Sequence, residues 1–204
     1  MKNLTIILFF IFSNTLFAQG LFFKTGKNFT TFSYKNTTPN TEKIRINGTG
    51  TSYELGYAMP LEYNDFSYLV SVTLNDYNAT GESSSNNLEW KTSYIGLQNT
   101  IDYQFYNANN FLISAQAGLN IAKILSGKQT LNNSTYNLAH NKDFSGLILQ
   151  PVIGVNTKYS ISKSGYFSLG CNLAKSISLN PTPEKVSFNT FQILFGGHFD
   201  LTKN

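Results

Sequence analysis

Few residues in this chain have the types and spacing that chemistry needs. Cysteine occurs once, at Cys171, and histidine twice, at His140 and His198. A lone cysteine forms no disulfide within one chain. Two scattered histidines make no metal-ligand cluster, so no metal and no cofactor are expected. His198 and Asp200 stand two residues apart. A hydrolase would need a serine within hydrogen-bond reach of such a pair. The glycines follow a two-residue parity and not a phosphate-loop spacing. What remains is electrostatic: Lys24, Glu54, Asp102, Lys158, His198 and Asp200 all fall on the polar parity of strand-like runs. Charges that share a narrow interior must pair with one another or with water, because an unpaired buried charge is costly.

The runs that position these residues have a period of two. From 95 to 105, Ile95, Leu97, Ile101, Tyr103 and Phe105 share one parity, and Gly96, Gln98, Thr100, Asp102 and Gln104 take the other. From 111 to 121, Phe111, Ile113, Ala115, Ala117, Leu119 and Ile121 alternate with Ser114, Gln116, Gly118 and Asn120. Such a period means extended chain with one apolar and one polar face. Both runs reach the roughly 9–11 residues that a tilted strand needs to cross a bilayer. The same pattern recurs over 21–33, 50–61, 66–77, 89–105, 111–124, 144–160, 165–177 and 186–201, which predicts eight strands. Phe22, Phe23, Phe29 and Phe32 blur the parity of the first. Pro151 predicts a bulge or bend in the sixth, since proline donates nothing to a ladder.

Connections alternate in length. Residues 62–65, 106–110 and 162–164 are short. The stretches 34–49, 78–88, 125–143 and 178–185 are longer and rich in Asn, Ser, Thr, Gly or Pro. An all-β, eight-stranded antiparallel up-and-down barrel places the short turns at one end and the long loops at the other. Transmembrane barrels show this asymmetry, with short periplasmic turns and longer extracellular loops. Charged residues make up 13% of the chain, about half the usual soluble fraction of roughly 25%, which suits membrane strands better than a water-exposed surface. The net charge of +4 is too small to point to nucleic acid. Residues 1–18 read as a signal peptide: Lys2, an apolar run from Leu4 to Phe12, and Leu16-Phe17-Ala18 before Gln19. Residues 19–204 then form the barrel.

Alternation alone leaves open which face is inside, since a lipocalin-like soluble barrel also alternates. Gly26, Gly56, Gly96, Gly118, Gly154, Gly170 and Gly196 lie on the polar face, which suits a crowded lumen. Tyr63, Phe66, Tyr103, Phe105, Phe111, Tyr159 and Tyr166 collect toward the turns. Tyr34, Tyr77, Trp90, Phe144 and Phe188 lie toward the loops. Two aromatic girdles at the bilayer interfaces are the expectation.

With its leader, its alternating strands and Gly-bearing runs such as Phe23-Lys24-Thr25-Gly26-Lys27-Asn28-Phe29, the chain resembles the small Gram-negative outer-membrane β-barrel proteins, OmpX-like and PorT-like. The resemblance covers nearly all of residues 19–204 and is one of pattern. It implies a place in the cell outer membrane, contact with outer-membrane lipid, and handling by the barrel assembly machinery. Phe199 stands where such chains carry a terminal aromatic, but Asp200-Leu201-Thr202-Lys203-Asn204 follow it. Members range from structural barrels to adhesins and secretion-linked components. Three function classes stay open: a non-enzymatic barrel that meets an extracellular or envelope protein through its loops, a soluble lipid-binding barrel, and a small enzyme acting on envelope lipid.

Overall fold

A computed structural model describes residues 20–35, 44–61, 65–83, 86–131, 134–139, 146–179 and 185–201. Its strands are β1 (Gly20–Lys35), β2 (Ile44–Pro60), β3 (Phe66–Ser83), β4 (Asn86–Ala108), β5 (Phe111–Leu131), β6 (Ser134–Asn137), β7 (Leu147–Ser160), β8 (Gly165–Lys175), β9 (Ile177–Ser178) and β10 (Lys185–Asp200). Neighbours pair antiparallel, β1 closes on β10, and β5 passes over the short β6 to pair with β7. Eight long strands thus form a closed up-and-down barrel, with β6 and β9 as short extensions.

The register fixes the shape. A row of partners runs from Tyr68 through Ile101, Ala117, Ile153, Leu173, Phe191 and Phe29 to Thr49. The β2–β3 register then returns it to β3 at position 78, ten residues beyond its start at 68. Ten residues of stagger over eight strands give a tilt of about 40° and a backbone radius of roughly 8 Å.

The faces sort as the parity demands. Leu55, Val72, Leu97, Ile121, Ile153, Leu169, Cys171 and Phe195 are exposed on the outside. Asn28, Glu54, Thr73, Gln98, Asn120, Asn156, Asn172 and Gln192 are buried within. This is the inverse of a lipocalin, whose apolar face points inward, and it removes the soluble lipid-binding reading. In β1 the phenylalanines divide: Phe22 and Phe32 are wholly buried, whereas Phe23 and Phe29 are exposed. At the turn end, Phe66 packs on Tyr103 and Phe111 on Tyr159, with ring centroids 4.7 and 4.9 Å apart. Phe105, Phe167 and Phe199 are exposed at the same end. They make one aromatic girdle.

Several expectations are corrected. Residues 78–83 and 86–88 are not loop but the ends of β3 and β4, and β5 runs on to Leu131. Alternating polar residues there still pair in register, from Asn78↔Lys91 to Ser83↔Asn86. With β6 they form a sheet that extends the wall. Tyr77, Trp90 and Phe188 do not form the loop-side girdle expected of them: they are buried inside the barrel. Tyr166 also takes the inward parity, opposite His198. Pro151 makes no bulge. The β7–β8 ladder stops at Val152↔Ala174 and resumes at Leu149↔Ile177 in the same register, so the missing N–H separates β9 from β8. The bulges lie in the β4–β5 ladder, between Ser93 and Tyr94 and between Gln104 and Tyr106. The leader, Tyr63, His140 and Phe144 lie outside the described residues, as does nearly all of 34–43 beyond β1.

The β4–β5 turn has two residues, Asn109 and Asn110, and Asn109 has φ 53°. Asparagine tolerates this left-handed region better than most residues. Asn109→Gly should leave stability unchanged or slightly higher, and Asn109→Val should cost about 1–2 kcal/mol in reversible unfolding in lipid vesicles. A second comparison tests the two faces. Leu97 is 50% exposed and its neighbour Gln98 is 7% exposed. Leu97→Arg should cost roughly 2–4 kcal/mol in a bilayer, and Gln98→Lys clearly less. The reverse order would turn the barrel inside out.

Candidate functional site

The lumen is the place where this sequence brings polar chemistry together. Small inward residues make room for it. A Cβ at Gly26 would come within 1.9 Å of the Ile193 carbonyl oxygen, and one at Gly196 within 2.0 Å of that of Phe23. Between such points long polar side chains from facing strands meet.

Toward the turn end there are two ion pairs. Lys24 Nζ is 3.8 Å from Glu54 Oε2, and both side chains are buried. Glu54 also accepts from Ser71 Oγ at 2.7 Å and Gln98 Nε2 at 3.2 Å. Lys24 lies over the Phe22 ring, 4.9 Å from its centroid. Across the lumen Lys158 Nζ donates to Asp102 Oδ2 at 3.3 Å, and Gln116 Nε2 donates to Asp102 Oδ1 at 3.0 Å. Each carboxylate therefore has a cation on one side and amide or hydroxyl donors on the other, as buried charges require. His198 stacks on Phe22 with centroids 5.1 Å apart. Its Nε2 meets no hydrogen-bond partner, so no Ser–His pair is assembled there among the described residues. Asp200 is half-buried at the turn-end rim beside Gly20.

Higher in the lumen a second network is neutral. Gln192 Nε2 donates to Asn28 Oδ1 at 2.8 Å and Asn75 Oδ1 at 3.3 Å, and Ser52 donates to Asn75 at 2.6 Å. Asn28 Nδ2 donates to the carbonyls of Thr51 at 2.9 Å and Asp76 at 3.1 Å. It does so where the β2–β3 ladder lapses, between Ser52↔Asn75 and Asn47↔Thr80. On the opposite wall Asn120 Nδ2 and the Tyr77 hydroxyl both donate to Gln150 Oε1, at 3.0 and 3.3 Å.

Above this the lumen turns apolar. Phe32, Ile46, Tyr77, Trp90, Tyr94, Ile124, Leu138, Ile148 and Phe188 form one buried cluster. Phe188 stands 4.9 Å from Phe32 and 4.6 Å from Tyr77, ring centroid to centroid, and Trp90 meets Phe32 edge-on at 5.2 Å. Leu138 arrives from beyond β6, held by its N–H to the Gly127 carbonyl at 2.9 Å.

Of the six lumen residues read from sequence, the structure brings four into two ion pairs, stacks His198 and leaves Asp200 at the rim. Sequence reasoning missed the amide network and the aromatic plug. Parity carried the signal for most of it. Trp90 shares parity with Gln98 and Asp102, Phe188 with Gln192, and Tyr77 with Asn75. Leu138 had no such signal, because it lies beyond the long strands.

An apolar exterior around a filled interior, on a sheet that closes from β10 back onto β1, does not make a water-facing molecule. The chain is a transmembrane β-barrel. Its closed wall satisfies the backbone within lipid, and the outer membrane is the setting of barrels of this construction. No helix among the described residues is long and apolar enough to cross a membrane. No family model and no curated protein matches the chain. Solved structures similar to it include Ail, the attachment invasion locus protein of Yersinia pestis. That match has 13% identity and a TM-score of 0.47, and it covers 88% of this chain and 98% of that one. OprG from Pseudomonas aeruginosa matches at 12% identity and TM-score 0.47, over 90% and 96%. The Escherichia coli outer membrane protease OmpT matches at 8% and 0.48, over 92% and 98%. None of these likenesses bears on the barrel's own role.

The buried pair gives a direct test. Glu54→Gln keeps two hydrogen-bonding positions but leaves Lys24 unpaired in the lumen. It should destabilise the barrel by about 3–5 kcal/mol in vesicle unfolding, and adding Lys24→Met should recover much of that loss. A double variant as weak as the sum of the two singles would mean that the pair is not coupled.

Proposed function

We propose that this barrel is a non-enzymatic outer-membrane protein that meets an extracellular or envelope protein through the sheet beyond its membrane belt. The observation that carries this reading is the extension of β3, β4 and β5, with β6 added, past the last outward apolar residues. Outward positions there are polar: Asn78, Thr80, Glu89, Lys91, Lys128, Thr130 and Thr135. The barrel below is filled, which speaks against a conduit as the main role. Eight strands leave room for side chains and little else. A hydrogen-bonded platform loses less conformational entropy on binding than loose loops of the same length, which favours recognition. A secretion-linked role is one form this contact can take. The enzyme reading has less support, because the sole described histidine is stacked inside the lumen, away from lipid and from the loop end.

A photocrosslinking amino acid at Tyr136 tests the proposal in intact cells, with the same group at Val155 on the lipid face as control. Tyr136 is 56% exposed and Val155 49%. A discrete protein adduct from Tyr136 and none from Val155 is expected. If positions 80, 130 and 136 all gave no protein adduct, the interaction role would fail. Turnover of envelope lipid or of peptides by the purified barrel would replace it with the enzyme reading.

A further inference from the structure

On the outer wall, two rows of side chains run across neighbouring strands. Phe29, Phe191, Leu173 and Ile153 are successive Cα partners on β1, β10, β8 and β7. The next row toward the loop end is Asn47, Thr31, Asn189 and Lys175. The first row is wholly apolar and the second wholly polar, with one cation. These rows line a single concavity of about 870 Å³, within the range of roughly 300–1,000 Å³ typical of ligand sites. Pro151 lines it too, at the point where the β7–β8 ladder is interrupted. Lys175 is exposed and makes no ion pair among the described residues.

We propose that this groove binds an anionic, phosphate-bearing lipid of the loop-side leaflet, with acyl chain on the Phe29–Ile153 row and phosphate on Lys175; phosphatidylglycerol serves as its probe. The geometry selects the occupant. The groove opens sideways from the apolar belt, so what enters it comes from the lipid phase. Its floor takes hydrocarbon. Its polar row offers an ammonium to a phosphate, and amide and hydroxyl groups to the rest of a headgroup. An ammonium near the membrane interface attracts anionic headgroups, and a lipid phosphate is the counter-charge within its reach. A second copy of this chain fits less well, since two convex barrels touch along a line and leave a recess empty. Lys123 provides the contrast. It also faces lipid, yet its cross-strand partners are Ile95 and Leu147, the polar row beyond it (Asp76, Ser93 and Ser126) carries a carboxylate, and it does not line the groove.

The test uses the full barrel in nanodiscs of phosphatidylcholine with a minor fraction of phosphatidylglycerol, read by native mass spectrometry of retained lipid. Insertion is checked first by the different gel migration of boiled and unboiled samples. The wild type should retain phosphatidylglycerol about tenfold over its share in the disc, one charge-assisted contact's worth. Lys175→Gln should bring retention down to that share, and so should Asn189→Trp, which fills the groove. Lys123→Gln should leave it unchanged. The site is overturned if Lys175→Gln retains phosphatidylglycerol as well as wild type, or if Lys123→Gln loses as much. Paired barrels with no lipid would assign the groove to a second copy instead. A wild-type chain that fails to insert would overturn the membrane placement and the lipid site together.

Discussion

Closure of the hydrogen-bonded wall is the constraint on which everything else in this molecule depends. Hydrocarbon offers no partner to a backbone N–H or C=O, so the sheet must bond to itself all the way round. Once it does, strand number and stagger fix the radius, and the radius fixes how much side chain the lumen accepts. Inward glycines and amides follow from that volume. Outward Leu, Ile, Val and Phe follow from the solvent. Even the lapses obey it: where the β2–β3 ladder opens, Asn28 reaches across from β1 to the freed carbonyls of Thr51 and Asp76.

The lumen solves its packing problem differently at its two ends. Toward the turns, charges are tolerated because each has an opposite charge in reach and each carboxylate has further donors. Such pairs add little net stability over an apolar filling, but losing one partner is severe. Toward the loops, rings take over and fill space with few polar groups to satisfy, the Tyr77 hydroxyl meeting Gln150. The amides between them join the two regimes. An amide nitrogen carries two donors, so one Gln192 serves two asparagines, and Asn28 accepts at Oδ1 while its Nδ2 donates.

Much of this was legible in the chain. Parity along runs such as 95–105 and 111–121 marked the strands and the lumen set, because a buried face enforces period two, and the alternation of short and long connections pointed to an up-and-down barrel. The inward charges were legible for the same reason. Strand ends were not: Asn78–Ser83 and Asn86–Leu88 look like loop by composition, and only pairing across the hairpin makes them strand. The aromatic plug was misjudged because position along the strand was weighed above parity for Tyr77, Trp90 and Phe188. Pro151 was expected to bend its strand. It interrupts one ladder while its other neighbour, Leu119, keeps register. Leu138 needed the tertiary fold.

The β1–β10 seam has a consequence in time. It joins the first and last strands through sixteen pairs, from Gly20↔Asp200 to Lys35↔Lys185. No other contact in the wall spans so much sequence, so this seam closes late and at high entropic cost. Once zipped, opening it in lipid strips many backbone groups of partners at once. The barrel's persistence in the envelope is then governed by a barrier more than by an equilibrium, and its lifetime outlasts what its modest ion pairs alone would grant.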